Sequence, residues 1–255
     1  MFRLQAYARG LFVAVSLLLP VPAQAAIELL ACSHELPPHT YLENGRPSGL
    51  ATEILQEVAR RLQWQLTIRY SNWIRARAMA EAGQCDLIYT ILKKDEYEKA
   101  FLYPQETLPE RRNVFFVRRD RQLQYNGDLE AFMRQFSIGL YRDKAVSPLF
   151  DQLKQTSWAR LNSPSESESL MRMLLAGRFD AAIENEETGI YELKKLGGLH
   201  LIEVLEPPIY VTPAYIAFSR KGRATGLVEA FSRELGHFKR SRQYNEIVDR
   251  YRTIR

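Results

Sequence analysis

Residues 49–92 read GLATEILQEVARRLQWQLTIRYSNWIRARAMAEAGQCDLIYTIL. Leu55, Val58, Ala59 and Leu62 recur at helical spacing, so residues 49–62 are expected to form an amphipathic helix. Leu66, Ile68 and Tyr70 then alternate with polar residues, as a strand does. Residues 73–82 read as a second helix, stopped by Gly83. Residues 86–92 are the next apolar strand. Upstream, residues 27–32 form a strand-like run that ends near Pro37-Pro38, and Asn44-Gly45 reads as a turn. Strand, helix, strand, helix, strand in that order implies parallel strands joined by crossover helices.

The rhythm then breaks. Residues 113–118 are an isolated β-rich run, after which the alternation resumes. Strands are expected at 136–140, 159–161, 179–183 and 199–204, and helices at 146–155, 165–176 and 186–196. Ser165 and Glu168 have capping-box spacing before the helix at 165–176, and Gly177 closes it. Residues 215–218 form another isolated β run, followed by helices over 227–238 and 243–251. Two α/β units joined by two chain crossings make a hinge with a cleft. Ligands of open α/β sheets bind beyond the carboxyl ends of the strands.

The chain has 255 residues, of which 46% are hydrophobic and 25% charged, a globular balance that excludes collagen, coiled coil and general disorder. Residues 1–25 combine Arg3 and Arg9, a short apolar run and Ala23-Gln24-Ala25, the pattern of a cleaved secretory signal. The alternative is an N-terminal anchor, but the run is about half a membrane span. Arg3 and Arg9 are the segment's only charged residues, so the remaining 230 residues carry +3 instead of +5. No nucleic-acid partner is expected. The basic residues Lys239, Arg240, Arg242, Arg250, Arg252 and Arg255 lie at helical spacing and read as a solvated face.

Several motifs, in order, resemble the bacterial extracellular solute-binding proteins of family 3. They are Leu36-Pro37-Pro38-His39-Thr40-Tyr41, Gly49-Leu50, Gly83-Gln84-Cys85-Asp86-Leu87-Ile88, Gly177-Arg178-Phe179-Asp180-Ala181-Ala182 and the closing stretch from Gln243 to Tyr251. The resemblance implies the α/β type II periplasmic binding protein fold. One lobe would comprise residues 26–108 and 213–255, and the other 109–212. It also implies a periplasmic monomer that captures a small-molecule ligand and delivers it to an ABC permease. A ligand module feeding a sensor, or a lyase of the cyclohexadienyl dehydratase type, are alternatives on the same fold.

Family members that bind free amino acids grip the carboxylate with an arginine after the third strand and the ammonium with an acid in the second lobe. Here those positions fall on Tyr97 or Asp95, and on Asn185. The second-lobe loop reads Asp143-Lys144-Ala145. An ordinary amino acid held by the usual anchors is therefore not expected; an amino-acid-like molecule or a related small organic ion is. Trp73 and Arg75, at the start of the second helix, offer a stacking face and a bidentate anion grip. Trp73 has a core position as its alternative, and Arg75 a surface one. His39, Tyr41, Tyr89, Tyr141 and Arg142 are further candidate contacts. His39 lacks a partner at metal-ligand spacing, and neither metal nor cofactor is expected. Catalytic motifs are absent, and Glu184, Glu186 and Glu187 read as acids favoured at a helix N-terminus.

The two cysteines carry one geometric expectation. Cys32 would end the first strand and Cys85 would precede its neighbour, the third. Five residues of rise would part them by roughly 16 Å, beyond the roughly 7 Å a bridged pair allows. No disulfide is expected, although an oxidising compartment favours one.

Overall fold

The computed structural model describes residues 26–142, 144 and 146–252. Residues 1–25, read as a secretory signal, Asp143 and Ala145 of the second-lobe loop, and Arg255 of the basic C-terminal set lie outside the described residues. The chain begins with β1 (Glu28–Ser33), β2 (Tyr41–Glu43), β3 (Arg46–Ser48), α1 (Leu50–Arg61) and β4 (Gln65–Tyr70). It continues through α2 (Trp73–Glu81), β5 (Leu87–Ile91), α3 (Asp95–Glu98) and β6 (Phe101–Leu102). It then crosses into β7 (Arg111–Arg118), α4 (Leu129–Gln135), β8 (Ile138–Gly139), α5 (Pro148–Leu153) and β9 (Leu161–Asn162). α6 (Ser167–Leu175), β10 (Ala181–Asn185), α7 (Glu186–Lys195) and β11 (Ile202–Thr212) follow. It returns through β12 (Tyr215–Ser219) to α8 (Val228–Lys239) and α9 (Arg242–Arg252).

Two five-stranded sheets result, ordered β4-β1-β5-β12-β6 and β11-β7-β10-β8-β9. β1 runs parallel to both β4 and β5, and β10 parallel to β8, as crossover helices require. The two runs read as isolated are integral strands instead. β12 lies antiparallel between β5 and β6, and β7 antiparallel between β10 and β11. Each carries the chain across the hinge and enters the sheet it reaches in reverse, so no crossover helix accompanies it. α4 was not anticipated; Asp128 caps it by accepting from the Ala131 N–H.

α1 buries Ile54, Leu55, Val58 and Ala59 against the first sheet. It has no side-chain cap. Its first N–H groups are met by the Pro38 and His39 carbonyls of the preceding loop, at 2.9 and 3.0 Å. Gly49 makes that closure possible. Its φ is +112°, and a Cβ there would lie 2.5 Å from the His39 carbonyl oxygen. The capping box at Ser165 does not form. α6 starts at Ser167 without a side-chain cap, and the Ser167 hydroxyl donates to Glu184 at 2.7 Å.

The two G-x-x-D motifs do the same work in the two lobes. Gly83 and Gly177 have φ of +78° and +67° and turn the chain from helix to strand. Asp86 accepts the Leu30 N–H of the neighbouring strand at 3.0 Å, and Asp180 accepts the Ser137 N–H at 2.9 Å. Burial opposes ionisation at both. The hydrogen bonds, with Arg223 at Asp86 and Arg121 at Asp180, win, and both carboxyls sit below their ordinary range.

The expectation about the cysteines is overturned. Cys32 and Cys85 form a disulfide, with Cα atoms 6.0 Å apart. Cys32 pairs in register with Ile88, and the Asp86 N–H already donates to the Leu30 carbonyl. Register therefore parts Cys85 from Cys32 by three residues, and Cys85 lies before β5, outside the ladder. The five-residue offset was wrong because β5 starts well along its neighbour.

Candidate functional site

β7 and β11 form an antiparallel ribbon between the lobes, in which Arg111 faces Thr212 and Asn113 faces Tyr210. Side chains alternate along a strand. Arg111, Asn113, Tyr210 and Thr212 therefore share one face, and all four line a cleft of about 560 Å³. Arg112, of the other parity, turns away and pairs with Glu186 at 2.8 Å and with Glu206. Loops beyond the carboxyl ends of β5 and β8 supply the walls: Leu92, Lys93 and Lys94 from the first lobe, and Tyr141, Lys144 and Val146 from the second. This is where open α/β sheets place ligands.

Charge in the cleft is one-sided. Lys93, Lys94, Arg111 and Lys144 line it, against Asp151 as its carboxylate. Lys93 and Lys94 make exposed pairs with Glu98 and Glu96 at 3.1 and 3.8 Å, which hold such flexible side chains weakly. Asp151 is paired with Lys154 at 2.7 Å. Lys144 is buried against Glu184, with its ammonium 4.7 Å from the centre of the Tyr141 ring. Arg111 makes no ion pair or side-chain hydrogen bond among the described residues. Its positive charge is felt at His34 and His39.

His39 and Asn185 join the lobes. The Asn185 Oδ1 accepts the Thr188 N–H at 3.3 Å and meets His39 Nε2 at 3.1 Å. An oxygen already accepting leaves His39 Nε2 as the donor, so the proton sits there and Nδ1 is bare. Burial pushes His39 below its ordinary pKa despite the opposing pull of Glu187. Burial, then Arg111, then His39 push His34 down to about 4. Beside this pair Arg252 of α9 reaches Glu187 of α7 at 2.6 Å.

The other candidates scatter. Tyr141 lines the cleft. Trp73 lines a separate outer pocket with His34, Glu35 and Tyr70, its ring centre 5.1 Å from that of His34. Tyr41 packs across the lobes on Tyr191, ring centres 6.1 Å apart. Arg75 and Arg142 are exposed and line neither space. Tyr89 is fully buried, with its hydroxyl bonded to that of Tyr70 at 3.0 Å. Tyr97 is buried beneath Arg77, whose Nη1 donates to its hydroxyl at 3.0 Å. Neither of these tyrosines opens onto the cleft, because each spends its hydroxyl within the first lobe. Glu186 and Glu187 open α7, as read, with Glu184 two residues before it, and the three are also taken up by Arg112, Arg252 and Lys144. Arg111 was missed. The signal lay in its parity: a polar residue two before Asn113, on a strand that must cross between lobes, faces the cleft.

The fold and the cleft define a two-lobed solute-binding protein. The chain belongs to the bacterial extracellular solute-binding proteins, family 3, which it matches over residues 29–254. No curated protein matches it. Among solved structures it is similar to the second substrate-binding domain of a putative amino acid ABC transporter from Streptococcus pneumoniae. The identity is 17% and the TM-score 0.72, covering 89% of this chain and 100% of that one. It is also similar to the L-cystine solute receptor of Neisseria gonorrhoeae in its unliganded open conformation, at 15% identity and TM-score 0.72, covering 89% and 93%. A histidine kinase sensor domain with similarity to periplasmic binding proteins matches at 20% identity and TM-score 0.59, covering 89% and 96%. At these identities the likeness is one of fold.

Proposed function

We propose that this protein is a periplasmic, monomeric solute-binding protein. It closes lobes of residues 26–108 with 213–255, and 109–212, over a small organic ion and presents it to an ABC permease. The observation that carries this is the cleft itself, lined by loops of both lobes and floored by the ribbon that joins them, with Arg111 facing into it. A ligand that touches both walls stabilises the closed arrangement by its differential contacts. The disulfide agrees with an oxidising compartment. No helix among the described residues is long and apolar enough to cross a membrane. The described acids nearest the cleft, Asp151 and Glu184, make ion pairs, which favours binding over acid–base catalysis.

Thermal-shift screening followed by small-angle scattering tests the reading. A ligand at about a thousand times its Kd should add about 4 kcal/mol and raise the Tm by roughly 8–16 °C. The radius of gyration should fall as the lobes close. Stimulation of a reconstituted permease's ATP hydrolysis by the loaded protein is expected. Its absence would turn the reading toward a sensor, and turnover of the ligand toward an enzyme.

A further inference from the structure

We propose that the cleft selects small carboxylate anions that carry no ammonium group, with Arg111 as the anchor of the carboxylate. This rests on the reading of the chain as a solute-binding protein. A guanidinium presents a planar fork of donors matched to two carboxylate oxygens. Its neighbour Arg112 is saturated by Glu186 and Glu206, whereas Arg111 faces the cleft with no partner among the described residues. Leu92, Val146 and Pro213 beside it give a short carbon skeleton apolar wall.

Among the described residues the cleft offers an ammonium little. Asp151, the carboxylate that lines the cleft among them, already has Lys154 as a partner at 2.7 Å in a partly exposed pair. Glu184 is buried under Lys144, and Glu186 and Glu187 are engaged by Arg112 and Arg252. One Glu187 oxygen is left without a hydrogen bond, but Glu187 does not line the cleft. Asn185, at the position where relatives carry an acid, spends its Oδ1 on His39 and Thr188. A ligand ammonium entering here would lose its water, find no unpaired acid among the described residues and face Arg111 and Lys144. Specificity would come from that repulsion as much as from the grip on the carboxylate. The rival is Glu35, which lines the outer pocket beside Trp73 and makes no ion pair among the described residues.

Calorimetric titration with matched acids decides the matter. Succinate is paired with L-aspartate and glutarate with L-glutamate, each pair differing by one ammonium group. At least one amino-free acid should bind tenfold or more tighter than its partner. Arg111→Gln should weaken that binding at least tenfold and Arg111→Lys less, since a lysine keeps the charge and loses the fork. Glu35→Gln should bind like wild type. Unliganded melting curves that match wild type show that the Arg111 variants fold. The inference is overturned if an amino acid binds as tightly as its amino-free partner. It is overturned too if Arg111→Gln binds unchanged, or if none of the four gives heat up to about 10 mM. Should a different ligand compact the protein in scattering, the ligand class alone fails. If a broad panel of acids, amines and amino acids never compacts it, the solute-binding reading itself fails.

Discussion

His39 sits where the lobes meet and His34 beside the outer pocket, and burial above all holds both imidazoles below their ordinary pKa. The unfolded chain therefore takes up protons at a higher pH than the folded one. Their contribution is complete above the unfolded value near 6.5 and is lost as pH falls from there toward about 4, the value of His34. Arg111, Arg252 and Glu187 act on His39, so neighbouring charges modulate the loss without reversing it. Denaturant unfolding of wild type and of a His34→Gln, His39→Gln variant at pH 7.5 and 5 should show a smaller pH-dependent loss in the variant. Equal losses would refute the assignment. Lys144 gives a second prediction. Lys144→Met strands Glu184, 1% exposed, without its cation. It should cost about 3–5 kcal/mol, and a urea midpoint close to wild type would contradict the buried pair.

At the scale of single elements, the disulfide and one glycine carry the predictions. Cys32 and Cys85 are 53 residues apart and both buried. In the loop-entropy account such a crosslink is worth about 4 kcal/mol. The Cys32→Ala, Cys85→Ala protein should fold with a Tm lower by roughly 8–16 °C; a shift of a degree or two would mean the bridge constrains little. Gly189 lies inside α7, where Ala normally stabilises by up to about 1 kcal/mol. A Cβ there would meet the Phe116 ring at 2.2 Å. Gly189→Ala should therefore destabilise, because α7 is pressed against β7. The α/β alternation was legible because helical and strand periods are local. The capping box failed because its Ser and Glu pattern also suits a loop, and α6 starts at Ser167 with no side-chain cap.

Across the whole molecule, a line of contacts holds the lobes together: His39 with Asn185, Thr188 with Pro37, Tyr41 with Tyr191, and Arg252 with Glu187. α9 makes the last link, and it also packs on α1, where Tyr251 donates to Glu53 at 2.6 Å. The basic C-terminal residues are thus not merely a solvated face. Lys239, Arg250 and Arg252 are tied to Glu106, Glu53 and Glu187. Arg252→Ala should release the latch and leave Glu187 buried without its cation. We expect a larger radius of gyration of the unliganded protein and a lower Tm. A radius unchanged from wild type would place the hinge equilibrium elsewhere.

By itself the sequence determined the two α/β units, the double crossing and the family, since periodicity, turn residues and motif order are properties of neighbours along the chain. The resemblance also set Asn185 and the stretch around Tyr97 where the usual amino-acid anchors would fall, an expectation that required only residue identities. Only the tertiary structure decided which side chains line the cleft. Which face of β7 looks into the cleft depends on its register with β11, and this put Arg111 inside and Arg112 outside. Whether Cys85 meets Cys32 depends on where β5 begins along β1. Whether Tyr89 and Tyr97 greet a ligand or each other's neighbours depends on which hydroxyl partners the packed lobe supplies. Register and burial are set by contacts between residues far apart in the chain, and no local pattern encodes them.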